Sequence, residues 1–269
     1  RDLHLSLRRQ ASDVYKRQNL DDANMLYKAE WADTWDPLLE NGVPNYDLLL
    51  NPQTPEDEAK VVAIRETFKM DPAVMRQVDE EFGPFEWRLP EAHAIYWAYL
   101  GLKVSVREKD MIQLRRVIFQ SMQLAFMRGR MIEFPIAIPE DPGNFAKAFE
   151  YGPNLDVVET TNRAYEEMQA EEEQYFQNIG TAHKNFLRTA VYFLYTHNRM
   201  VEAQKWYDYV RERYPDSITT SLEEYVFARV EEEFGSTSQD RLKAMLMGFL
   251  ERSFIDLAMG QEQKAMAGE

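Results

Sequence analysis

The chain has 269 residues, 45% of them apolar and 13% aromatic, with a net charge of −15 and no cysteine. That is enough apolar surface for a sizeable core, and the acidic balance argues against binding nucleic acid or anionic membranes, whose phosphates need clustered lysine and arginine. Without cysteine there is no disulfide, thiolate nucleophile or thiolate-held zinc or iron–sulfur site, and no run reaches the roughly 18–20 apolar residues that span a bilayer.

Residues 1–18 carry five Lys/Arg against two Asp, opposite in sign to the rest of the chain. They read as a non-native or disordered arm and are set aside from the fold. The chain does not begin with Met and shows no signal peptide, so the expectation is an N-terminally truncated fragment, cytoplasmic or periplasmic. An N-terminal helical block is predicted over 19–134. Its first helix, Asn19 to Trp35, places Met25, Leu26, Ala29 and Ala32 at helical spacing behind Asp21 or Asp22 as cap. A connector rich in Pro and Asn follows, from Pro37 to Pro55. Thr54-Pro55-Glu56-Asp57 then supplies a cap, a proline at the first helical position and acids in the first turn, which predicts a helix to about Lys69. Asp71-Pro72 repeats the signal for a helix ending near Phe82, before Gly83-Pro84. Leu89-Pro90-Glu91 opens another, predicted to stop at Gly101. Glu108 to Arg130 is its long partner, with Met111, Leu114, Ile118, Met122, Ala125 and Met131 along one side.

From Gly129 to Pro153 four prolines and three glycines interrupt an apolar stretch. Residues 135–154 are predicted as an extended connector without a strand. A C-terminal helical block spans 155–259. It holds a Glu-rich helix from Leu155 to Gln177, a break at Gly180, a helical hairpin from Ala182 to Tyr214, a helix from Leu222 to Phe234, and a last helix from about Gln239 to Met259. Residues 260–269 are expected to fray. No β-alternation stands out, and the fold class is all-α: stacked antiparallel helical hairpins, in a solenoid or an irregular array.

The hairpin 182–215 is the most specific feature. Its first helix is apolar nearly all round, with Phe186, Leu187, Ala190, Val191 and Leu194 on one side and Tyr192, Phe193 and Tyr195 on the others. Such a helix is buried on more than one side. Its second helix carries Ala203, Tyr207 and Pro215: a small residue where helices approach, an aromatic that fills the groove, and a stop. That order resembles the second helix and exit of a tetratricopeptide repeat, with Leu187, Ala203, Tyr207 and Pro215 as the repeat-packing positions. Val191 and Val210 stand where the family carries small residues, and no second copy follows at its 34-residue period. The resemblance implies a stacking module that binds other proteins without chemistry of its own.

The densest cluster of aromatic and polar residues is Trp87, Arg88, Glu91, His93, Tyr96 and Trp97. As a binding site it would grip a peptide or small ligand by stacking, cation–π contact and hydrogen bonds. As packing, its tryptophans would be core anchors with partnered indole N–H groups. Glu91 and His93, two residues apart, face different sides of a helix and make no joint metal pair. His4 lies in the excluded arm, and His183 and His197 sit at opposite ends of one helix, so capping or packing is their expected role. The runs Glu171–Glu173 and Glu231–Glu233 read as solvated faces. Phosphate-binding glycine loops, a nucleophile elbow, HExxH and an EF-hand loop are all absent. No catalytic residue, metal or cofactor is expected. Met245, Met247, Met259 and Phe254 on the last helix suggest a further covering, such as a second copy of the chain.

The expected function is a non-catalytic helical-repeat scaffold with a protein or peptide partner, its acidic surface selecting basic ones. Nucleic acid and direct membrane insertion of this segment are not expected. The alternatives are a helical enzyme or metal-binding protein using His93, or the soluble part of a membrane-anchored envelope assembly.

Overall fold

The computed structural model describes residues 34–137, 145–171 and 176–235. The arm 1–18, nearly all of the helix expected at 19–35, and the last helix and tail at 239–269 lie outside them. So do His4 and the methionine-rich face on which the proposed oligomer contact rests. Most described residues are helical, as the sequence predicts.

The connector expected over 37–55 contains a short helix, α1 (Tyr46–Leu50), capped by Asn45. The capping signals that follow act as read. Helix α2 (Pro55–Thr67) begins with a capping box, in which the Asp57 N–H donates to Thr54 Oγ1 and the Thr54 N–H to Asp57 Oδ2. At α3 (Pro72–Phe82) Asp71 Oδ1 accepts from the Ala73 N–H at 2.9 Å. Helix α4 (Pro90–Val104) runs through Gly101 instead of stopping there. A Cβ at Gly101 would lie 3.0 Å from the Leu114 side chain, so this glycine serves close packing against α5 (Glu108–Arg128) and not helix termination.

The connector is a correction. Strands β1 (Arg130–Ala137) and β2 (Phe145–Gly152) pair antiparallel, with Arg130 opposite Gly152 and Ala137 opposite Phe145. The alternation Ile132, Phe134, Ile136 was the available signal, masked by Pro135. A two-stranded ribbon leaves one edge of each strand unpaired, so a proline without an N–H is tolerated there. Met131, expected on the α5 stripe, is instead buried from β1 against Leu89, with Phe149 and Tyr151 packed around it.

After a short 3-10 turn (Leu155–Val157) come α6 (Val158–Glu171), α7 (Phe176–Thr196), α8 (Met200–Arg213) and α9 (Leu222–Gly235). Gly180 lies inside α7 and not at a break, and a Cβ there would meet the end of the Gln169 side chain, Nε2, at 2.8 Å. Asn198, at φ +59°, turns the chain between α7 and α8, and the Arg199 N–H closes the turn on the Leu194 carbonyl at 2.8 Å. Ser221 caps α9 by exchanging hydrogen bonds with Glu224.

The chain divides into two compact units between Glu167 and Met168, within α6. The first is centred on Trp35, Ile64, Met75, Trp87, Ile95, Tyr96, Met122 and Phe126, and the second on Leu187, Val191, Leu194, Ala203 and Tyr207. No helix among the described residues is long and apolar enough to cross a membrane.

Candidate functional site

The six residues singled out in the sequence do come together, but in the interior of the first unit. Trp87 is 0% exposed, Arg88 2%, Glu91 and His93 3%, Tyr96 2% and Trp97 7%. The sequence explains why. Pro90 starts α4 directly behind Trp87 and Arg88, so Glu91, His93, Tyr96 and Trp97 follow within two turns. Helix α4 is buried along nearly its whole N-terminal half, and a helix apolar on all sides needs neighbours on all sides.

Trp87, Arg88, Glu91, His93 and Tyr96 all have internal partners. Trp87 Nε1 donates to Asp79 Oδ2 at 2.9 Å, and Tyr96 Oη accepts from the Asp71 N–H at 2.8 Å. His93 Nε2 lies 2.7 Å from the Trp87 carbonyl. A carbonyl can only accept, so this nitrogen carries the proton. Around the imidazole stand the rings of Trp35, Phe68 and Trp87.

The charged groups form a chain of pairs. Arg88 donates to Glu86 Oε1 (2.6 Å from Nη2, 2.7 Å from Nε) and to Asp36 Oδ1 at 3.0 Å. The other Glu86 oxygen accepts from the Met131 N–H at 2.8 Å. Arg128, in the last turn of α5, donates to Glu91 in the first turn of α4 at 3.0 Å, each charge complementing its helix terminus. Burial pushes the Glu86 carboxyl up despite Met131 and Arg88. It also works to lower the Arg88 pKa, but Glu86 and Asp36 outweigh it and the net shift is upward. The guanidinium therefore stays charged while the carboxylate becomes easier to protonate. Tyr151 of β2 is pushed to about 12 by burial, with Glu91 and Glu86 raising it and Arg128 and Arg88 opposing.

A second knot lies beside it. Asp79 accepts from the Tyr46 hydroxyl, from Trp87 Nε1 and from the Phe85 N–H at 2.9 Å, while burial still pushes its carboxyl up. Gly42, at φ +75°, brings the chain next to both knots: its carbonyl accepts from the Trp87 N–H at 2.9 Å, and a Cβ there would meet Glu86 Cγ at 2.6 Å. The loop before α1, the 85–91 segment, α5 and β1 are thus held by one polar network.

Sequence reasoning missed Glu86, Asp79, Tyr46, Asp36, Arg128 and Tyr151. Glu86 was legible, since it adjoins Trp87 and Arg88; the others come from 8 to 64 positions away and leave no local mark. Two open clefts of the same unit lie elsewhere, one of about 570 Å³ beside Tyr99 and Arg163 and one of about 750 Å³ along 38–49, and none of the six lines either. No group of three or more His, Asp and Glu among the described residues is arranged to hold a metal ion. Comparison with known protein families, curated proteins and solved structures finds no match.

In the second unit, Leu187 and Ala203 are 0% exposed and Tyr207 is 3%, where α7 and α8 fold back on each other. The Tyr207 hydroxyl donates to the Thr220 carbonyl, and the Tyr225 hydroxyl of α9 donates to the Arg188 carbonyl of α7 at 2.9 Å. His183 is buried with Nδ1 3.0 Å from the Tyr214 hydroxyl, and His197 closes the end of α7 on the Phe193 carbonyl at 2.8 Å. Glu231 and Glu232 are exposed.

Proposed function

We propose that the protein is a non-catalytic helical scaffold that binds a protein or peptide partner. The observation that supports this best is that α8 and α9 both pack on α7, with Leu187, Ala203 and Tyr207 buried and the Tyr225 hydroxyl of α9 bonded to the Arg188 carbonyl of α7, as stacked hairpins would place them. The polar cluster of the first unit is consumed by its own pairs, which fits a structural role better than an acid–base site. His93 would have to give up the Trp87 carbonyl to bind a metal through Nε2.

The partner surface then lies on exposed side chains. Phe227 is 65% exposed on α9 and Val201 85% on α8, each within a few residues of exposed acids such as Glu223, Glu224 and Asp208. Apolar anchors with an acidic surround select a basic, partly apolar segment.

The test is selection from a displayed random-peptide library, with the whole chain as bait and a Phe227→Glu/Val201→Glu variant in parallel. Basic, aliphatic peptides that release at high salt and ignore the variant are the expected result. No enrichment, or enrichment that the variant shares, would overturn the reading.

A further inference from the structure

Asn41 is followed by Gly42, and every other asparagine of the chain is followed by a residue that carries a side chain. A glycine nitrogen has no Cβ beside it, so it can approach the preceding side-chain carbonyl with the least hindrance. The structure sets this pair at the centre of a tight turn. Asn41 has φ +51° and Gly42 φ +75°, and the Val43 N–H donates to the Glu40 carbonyl at 3.0 Å. Two positive φ values between paired residues are the type I′ turn that Asn-Gly favours.

The two residues face opposite ways. Asn41 is exposed, whereas Gly42 is buried against the 85–91 segment. The Gly42 carbonyl accepts from the Trp87 N–H at 2.9 Å, and a Cβ on Gly42 would meet Glu86 Cγ at 2.6 Å and Arg88 Nε at 2.8 Å. The turn thus latches the 38–45 loop to the buried charge network through two backbone bonds. Neither bond uses the Gly42 nitrogen.

We propose that Asn41 is a site of spontaneous deamidation, and that its iso-aspartyl product unlatches the loop. The Gly42 nitrogen gives its proton to solvent base and bonds to Asn41 Cγ. The Cγ–Nδ2 bond breaks, and Nδ2 leaves as ammonia. Water then opens the five-membered imide at either carbonyl. Opening at Cγ gives aspartate with the backbone unchanged. Opening at the main-chain carbonyl gives iso-aspartate, whose backbone is one carbon longer. Water is the only co-reactant, and no electron is transferred. Ring closure holds the Asn41 backbone outside the left-handed turn, so the turn has to open first. Two backbone bonds of ordinary strength slow the reaction by roughly thirtyfold relative to the unfolded chain. A longer backbone shifts the register of the turn, and the close approach at Gly42 leaves no room to absorb it. This site goes beyond the scaffold reading and does not depend on it.

The experiment is incubation of the whole chain in mildly alkaline buffer, folded and in guanidinium chloride, with peptide mapping by mass spectrometry and iso-aspartate-specific methyl labelling. Asn41 is expected to be the first asparagine converted in the folded chain, at roughly a thirtieth of its denatured rate. The modified fractions are then separated by charge and unfolded in urea beside an Asn41→Asp variant, which carries the new charge on a backbone of normal length. The iso-aspartyl fraction should lose about tenfold or more in the folding equilibrium of the first unit, while Asn41→Asp stays near the unmodified chain. A folded chain that keeps the Asn41 amide for about a hundred denatured half-times overturns the site. An iso-aspartyl fraction as stable as Asn41→Asp overturns the unlatching.

Discussion

Replacing Arg88 by Met keeps the aliphatic volume of a side chain that is 2% exposed, but strands Glu86, which is 3% exposed. Breaking a buried ion pair from one side costs about 3–5 kcal/mol. The charge part of that cost has a ceiling, because Glu86 can take up a proton. Against its ordinary pKa of 4.5, holding that proton at about pH 7 costs about 3.4 kcal/mol, at about 1.36 kcal/mol per pH unit. At about pH 5 the same step costs under about 1 kcal/mol. Asp36 is 31% exposed and recovers water, so it adds little. The loss in Arg88→Met is therefore large near neutrality and shrinks on acidification, and adding Glu86→Gln removes most of the charge part at about pH 7. Urea unfolding followed by tryptophan fluorescence reads this out, since Trp35, Trp87 and Trp97 report on the first unit and Trp206 on the second. A loss that is the same at both pH values and unchanged by Glu86→Gln would refute the reasoning.

Gly42→Ala should cost about 2–4 kcal/mol, combining a positive φ with a Cβ driven into Glu86 and Arg88, again read from the urea midpoint of the first unit. Asp79 is pushed up by burial from an ordinary 3.8, so the native state binds its proton more tightly than the unfolded chain, and the stability it contributes falls as pH rises from that value. Tyr46→Phe removes a donor that favours the carboxylate, so the pH series should show a steeper fall together with a loss of about 1 kcal/mol. In the second unit, Ala203→Leu should cost about 1–3 kcal/mol by overpacking the contact between α7 and α8, whereas Val201→Ser, two residues away and 85% exposed, should stay within about 0.5 kcal/mol. Thermal unfolding of the two side by side checks the pair.

Local chemistry made several elements legible. Thr54, Asp71 and Pro90 place the starts of α2, α3 and α4 because a cap or a proline acts within one turn. The α7–α8 hairpin was legible because the apolar residues of its first helix recur at helical spacing and Pro215 stands just past the end of its second. Glycine was misread twice. Gly101 and Gly180 look like breaks in the sequence, yet both sit inside helices, where a Cβ would press on the side chains of Leu114 and Gln169. That reason belongs to the facing element and cannot be read at the glycine itself.

The six-residue cluster follows the same division. Composition and spacing identified Trp87, Arg88, Glu91, His93, Tyr96 and Trp97 as one group, because a proline-started helix carries four of them within two turns. The sequence by itself thus determined a mostly helical chain, its main helix starts and six members of its polar cluster. Only the tertiary structure decided that the cluster faces inward, since exposure depends on what Asp36, Tyr46, Asp79, Arg128 and Met131 bring from elsewhere in the chain. It also decided that residues 130–152 pair as strands. A cap or a proline acts over one turn, whereas burial and strand pairing are set by contacts between residues far apart in sequence.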